Sequence, residues 1–322
     1  LELKEAIDFI RNEDPRTKLV LSNGSKIDYL PSNRFALPVN KDNAIASGIV
    51  KEADRDLMED TIYMELPKRA IDKSEMMLLD LLASFDWSRP ICFTQVYILQ
   101  DFGLLDYLQF DGYSYRLVPI LTPYRSAWDI GRIDTDVAYP LLKDTLRYGN
   151  LADPGVNADY FVQYNLSASR AREAFARVAR KLLQENQPDK AREMLDRGLE
   201  VLPSPKIRYT DANTYPFIEC YYLLEDYDKG DALLKDYAET LKEYIEYYLQ
   251  FDGAQAALVS DIITEKLDSL YELYYLAAYA RRDDLVKYFN EYFRTFGYTD
   301  EELIKPGTDA GDLMDAPVVN MQ

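Results

Sequence analysis

Histidine is absent from this chain of 322 residues. That absence removes Ser-His-Asp and Cys-His nucleophilic machinery, along with every His-containing zinc site. Cysteine is nearly as scarce. Only Cys92 and Cys220 occur, more than a hundred residues apart, so no disulfide framework or Cys-based metal motif is readable and both are expected as buried free thiols. Positive charge is outnumbered: 37 Lys plus Arg face 56 Asp plus Glu, a formal charge of −19. Such a chain repels polyanions, which makes nucleic acid and anionic lipid poor partners. Long apolar runs are also missing, because Met76 to Phe85 (broken by Asp80) and Leu273 to Ala280 fall short of the roughly 18 residues that cross a bilayer. The chain opens at Leu1 without a methionine or a basic and apolar leader, and is read as a processed protein or a segment of a longer one. No cofactor and no metal are expected.

Hydrophobic residues make up 48% of the chain and tyrosines number 27, which is the composition of packed domains. At about 100 to 200 residues per domain, two cores are expected. Leu3, Ala6, Ile7 and Ile10 share one helical face within Glu2 to Asn12. Lys18 to Leu21 and Lys26 to Leu30 flank Ser22-Asn23-Gly24-Ser25, a hairpin signal because Asn-Gly tolerates positive φ. Residues 31 to 60 read as an irregular loop with at most one short strand. Ile62 to Leu66 reads as a strand, and Asp72-Lys73-Ser74-Glu75 as a capping box opening a helix to about Phe85. Trp87-Ser88-Arg89-Pro90 then stops it. Ile91 to Ile98 and Tyr113 to Leu121 are expected strands, with a helical turn at Leu104 to Phe110 between them.

From Thr135 the strand signals vanish. Phe175, Val178, Ala179 and Leu182 form one apolar stripe, and Ala191, Leu195, Gly198 and Pro203 follow after the break at Gln187-Pro188. These eight positions have the large and small pattern of a tetratricopeptide repeat, the 34-residue helix-turn-helix unit of solenoids. A second hairpin follows, with Glu225 to Gly230 aligned on Asn186 to Ala191 at an offset of 39 residues and Tyr237 in place of a small residue. A third surrounds Arg281 to Leu285. The predicted fold is α+β: a small α/β module over 1–135, a tetratricopeptide-like helical-hairpin stack over 136–305, and a mobile tail over 306–322.

The runs Ala6 to Ile10 with Asp14 to Lys18, Trp87 to Phe93, Asp106 to Gln109 with Gly112, and Tyr115 to Ile120 together resemble the soluble C-terminal region of a bacterial family of large multi-pass membrane proteins. Its members are similar to protein O-mannosyltransferases and were long catalogued as a domain of unknown function. The resemblance implies a periplasmic location, tethered to the inner membrane by segments preceding Leu1. In that family type the catalytic acid lies in a loop between early transmembrane helices, so no catalytic residue is carried over and this chain by itself is not expected to be an enzyme.

The expected function is therefore that of a non-catalytic accessory domain whose helical groove binds a polypeptide or a glycan. First helices of such hairpins line the concave face, which nominates Glu173, Arg180, Tyr215, Glu219, Tyr222 and Tyr274, aromatic and charged groups suited to either ligand. Two alternatives stay open. The stack is a structural spacer, or a pair of acids performs glycoside hydrolysis, which needs two carboxylates and no histidine. Asp134-Thr135-Asp136 and Asp226-Tyr227-Asp228 lack the remaining ligands of an EF-hand loop and read as solvated turns.

Overall fold

The computed structural model describes residues 1–67, 70–124, 129–159, 161, 166–204 and 206–307. Residues 308–322, most of the expected tail, lie outside them. The chain is α+β and divides into two units, Leu1–Thr145 and Leu146–Gln322. The sequence reading placed this division ten residues earlier.

In the first unit, α1 (Leu3–Arg11) buries Leu3, Ala6 and Ile7, the stripe that its spacing predicts. Strands β1 (Leu19–Val20) and β2 (Lys26–Ile27) pair antiparallel. Their turn differs in type from the expected Asn-Gly hairpin: only Gly24 takes a positive φ, +82°. The Leu21 amide donates to the Ser25 carbonyl and the Gly24 amide to the Leu21 carbonyl, both at 2.9 Å. This is a three-residue loop that ends in a left-handed glycine. The segment read as irregular holds β3 (Arg34–Pro38), the short helix α2 (Lys41–Ala46) and a 3-10 turn at Glu52–Leu57. β3 pairs antiparallel with β4 (Thr61–Glu65).

The capping box forms as read. The Glu75 amide donates to Asp72 and the Asp72 amide to the Glu75 carboxylate, each at 2.8 Å, opening α3 (Lys73–Ala83). Two expectations then fail. Ile91 to Ile98 gives only β5 (Cys92–Phe93), followed by the helical turn α4 (Tyr97–Gln100). The predicted helical turn at Leu104 to Phe110 ends early, so that Leu108–Phe110 is β6, paired with β7 (Tyr115–Leu117). The first miss follows from the β6–β7 turn at Gly112 (φ +86°), which limits β7 to Tyr115, opposite Phe93, so β5 has no partner beyond that residue; the second follows from the pairing of Leu108, Gln109 and Phe110 with Leu117, Arg116 and Tyr115. The sheet order is β5-β7-β6 and every strand pair in the unit is antiparallel. Helix α5 (Thr135–Pro140) follows. Cys92 is exposed, against the expectation of a buried thiol, because its edge strand is so short; Cys220 is buried, and burial pushes its thiol up to about 12.

Among the described residues the second unit holds three helical hairpins: α6 (Leu166–Gln184) with α7 (Pro188–Val201), α8 (Asp211–Leu223) with α9 (Tyr227–Tyr248), and α10 (Gly253–Tyr279) with α11 (Asp283–Arg294). One turn geometry joins each pair. Asn186, Glu225 and Arg281 take φ of 57°, 56° and 55°. The next amide in each turn, from Gln187, Asp226 and Arg282, donates back to Leu182, Tyr221 and Ala277 at 2.9, 2.9 and 2.8 Å. This is the left-handed helix stop that satisfies the final carbonyls. Close packing follows at the small residues of the second helices. A Cβ on Gly198 would sit 2.8 Å from the Phe175 ring and 3.0 Å from Phe217, and one on Gly230 would sit 2.5 Å from the Tyr222 ring.

The turns are 39 and then 56 residues apart. The excess is carried by α9 and α10, which are 22 and 27 residues long against 14 and 13 for α7 and α8. Packing changes accordingly: α8 lies along α6, whereas α10 lies along α9. α10 meets α8 near the start of the latter, where the Ser269 hydroxyl donates to Asp211 at 2.8 Å. Beyond Leu117 no strand occurs among the described residues.

Candidate binding face of the helical unit

The outward side chains of α6 and α8 carry the charges nominated from sequence. Arg180, exposed on α6, forms an ion pair with Glu219 on α8, exactly one 39-residue offset away. Tyr215, one turn before Glu219, is half-buried; burial raises its phenol pKa, with Glu272 adding to the rise and Arg180 opposing it. Tyr215 therefore has an anion and a cation among its electrostatic neighbours, contributed by α10 and α6. Glu173 is half-buried on α6. Burial holds its carboxyl above the usual range, against the pull of Arg177 and Arg170. Glu272 is also raised, by desolvation first and then by Asp211 and Asp268. Four of the six nominated residues thus share this face of α6 and α8, with Glu272 joining them from α10.

Tyr222 and Tyr274 do not belong to this face. Tyr274 is fully buried, in ring contact with Phe289 and Phe293, and its hydroxyl bonds to Asn290. Tyr222 is buried over Gly230 with its hydroxyl on Asp231 at 2.9 Å. The reason is register. Counting back from the turn residues, Tyr274 occupies the place held by Ala179 and Ile218, all three buried. Tyr222 occupies the place of Leu183. The same count finds Glu272, which stands where Arg177 stands in the first hairpin, so the turn-to-turn distance of 56 residues was the signal that would have located it. Adjacent tyrosines also behave less uniformly than their pairing suggests: Tyr221 and Tyr222 are both buried, while Tyr274 is buried and Tyr275 half-buried.

Arg172 on α6 is a different kind of group. It is fully buried, and its Nε and Nη2 donate to the Leu202 carbonyl. That carbonyl ends α7, so the guanidinium caps the negative end of a helix. Burial pulls its pKa down to about 10. Of the two acidic turns, Asp134 and Asp136 share Lys51 at 3.1 and 3.0 Å, and Asp226 lies 3.5 Å from Arg192. No group of three or more metal-ligating side chains occurs among the described residues.

A family model described as TMEM260-associated domain 2 matches residues 1–137. The match lies within the first unit, and it is consistent with a domain from a membrane-protein family. No curated protein and no solved structure matches the chain. No described helix is long and apolar enough to cross a membrane.

Proposed function

We propose that this chain is a non-catalytic accessory region of a membrane glycosyltransferase-like protein, exposed to the periplasm, and that its tetratricopeptide-like stack holds a polypeptide partner on the α6–α8 face. The observation carrying this reading is the Arg180–Glu219 pair, which joins equivalent first helices beside the half-buried Tyr215 and the raised carboxyls of Glu173 and Glu272. Keeping carboxyls partly desolvated costs stability, and such a cost is commonly retained where a surface is used. Alternating charge with a phenol suits the amides and mixed side chains of a peptide.

A glycan-processing reading has one observation in its favour. Glu173 and Glu272 are both shifted toward the protonated form, as a general acid requires. Turnover of aryl glycosides that is lost in Glu272→Gln would support it. The binding reading is tested by capture of an immobilised peptide panel graded in charge, comparing the parent with Arg180→Glu, Glu219→Arg and the double exchange.

A further inference from the structure

The first unit contains a cleft of about 480 Å³ between α1, the end of β3 and the loop after α3. Its floor is apolar: Leu3, Ile7 and Leu37 are buried there, with the Phe85 ring beside them. The volume lies in the range of small-ligand pockets. Trp87 forms one wall in a left-handed conformation, φ 65°, that a bulky residue keeps only under constraint. The constraints are visible. The indole Nε1 donates to the Pro38 carbonyl at 2.9 Å, the Ser47 hydroxyl to the Trp87 carbonyl at 2.9 Å, and the Asn43 side-chain Nδ2 to the Asp86 carbonyl at 2.8 Å. This wall of the cleft is thus tied to the end of β3 and to α2.

Its chemistry is set by the rim. Four carboxylates line it, Glu2, Asp8, Asp80 and Asp86, against Lys4 and Arg11. Arg11 is committed to Asp80 at 2.5 Å and to Asp8 at 3.8 Å. The Ser88 hydroxyl and amide hold the Asp86 carboxyl below the usual range, so it is ionised at neutral pH. A rim with two carboxylates in excess, on a chain of charge −19, favours a cation. Strand addition is closed off, because the Ala36 amide already donates to Leu1 and the Val39 amide to Asp60, and Pro38 has no amide to give. Recognition there falls to side chains alone.

We propose that this cleft is a second ligand site, independent of the helical face, which takes an amine or guanidinium on a short apolar stem. The stem lies on the Leu3, Ile7 and Phe85 floor and the cation meets the Asp8 and Asp86 rim. Two sources share this chemistry, a free small polyamine or a lysine or arginine side chain of another polypeptide.

The test follows backbone amide NMR signals of the whole chain while agmatine, a lysine-bearing tripeptide with blocked ends, maltose and hexanoate are added in turn. Agmatine or the tripeptide is expected to shift the signals of Leu3–Arg11 and of 84–88 with a dissociation constant on the order of millimolar. Whichever binds more tightly names the source. Asp8→Asn is expected to weaken binding about fivefold, and Asp8→Asn with Asp86→Asn about tenfold or more. Asp8 is exposed, and its ion pair is with Arg11 on the same helix, so its variant is expected to keep the fold even if the Asp86 loop is disturbed. Absence of shifts with both cations, equal binding by maltose or hexanoate, or affinity unchanged in Asp8→Asn would each overturn the proposal.

Discussion

The two units solve the problem of holding a chain together in different ways. The first joins three small antiparallel sheets by loops, and anchors them with largely buried ion pairs: Arg116 with Asp111 at 2.7 Å and Arg132 with Asp54 at 2.8 Å. The second repeats one turn and fills it with apolar and tyrosine side chains, reserving most charge for its surface. A long-range specified unit depends on single irreplaceable residues, whereas a repeated one spreads its stability over many similar contacts.

This contrast is broken most sharply at Trp87. Its side chain has no exposure and its indole holds Pro38, so Trp87→Ala is expected to cost about 3–5 kcal/mol. Hydrogen exchange should show the loss concentrated in residues 1–145, with protection of α6 to α9 retained. Uniform loss of protection in both units would show that they unfold as one. A smaller effect is expected at Gly230, where a methyl group would meet the Tyr222 ring. Gly230→Ala should cost about 1–3 kcal/mol through overpacking, read as lowered protection around the second hairpin alone.

The smallest effect tests the surface charge of the stack. Glu173 titrates higher in the folded chain than its ordinary value of 4.5. The native state therefore binds more protons over that interval, and the group's contribution to stability is present below pH 4.5 and lost as pH rises through the folded pKa. Glu173→Gln should raise the melting temperature at pH 7 by on the order of 2 °C, with the difference shrinking as the pH falls through the raised folded pKa and gone below about 4.5. A variant less stable than the parent at pH 7 would contradict this assignment.

Local chemistry was the legible part of the sequence. Asp72 and Glu75 cap a helix with atoms three residues apart, and the first hairpin of the stack is specified by its own spacing, so neither depends on distant partners. The strand expected at Ile91 to Ile98 depended on one. Its branched and aromatic residues suit a strand, but the partner ends at the Gly112 turn, a limit set by pairing and not by propensity. Register failed similarly in the third hairpin. The nomination fell on Tyr274, which stands seven residues before its turn where Arg180 and Glu219 stand six before theirs, and that one-residue difference puts it in the core. Across the first two hairpins, Glu173, Arg180, Tyr215 and Glu219 lie on the neighbouring helices α6 and α8, and Glu219 pairs with Arg180. The cleft of the first unit left no periodic trace, since its lining comes from three separate segments.

The central claim is that the α6–α8 face holds a polypeptide and does not merely close a seam. Exchanging Arg180 and Glu219 for one another separates these roles, because the pair is kept while the charge pattern offered to a partner is reversed. Capture of charge-graded peptides should weaken about tenfold or more in each single reversal and stay weak, or switch to peptides of opposite pattern, in the double exchange, with melting temperatures of parent and double exchange within about 2 °C. Capture fully restored by the double exchange with unchanged peptide preference, or no capture by the folded parent, would contradict the account and leave the stack as a spacer.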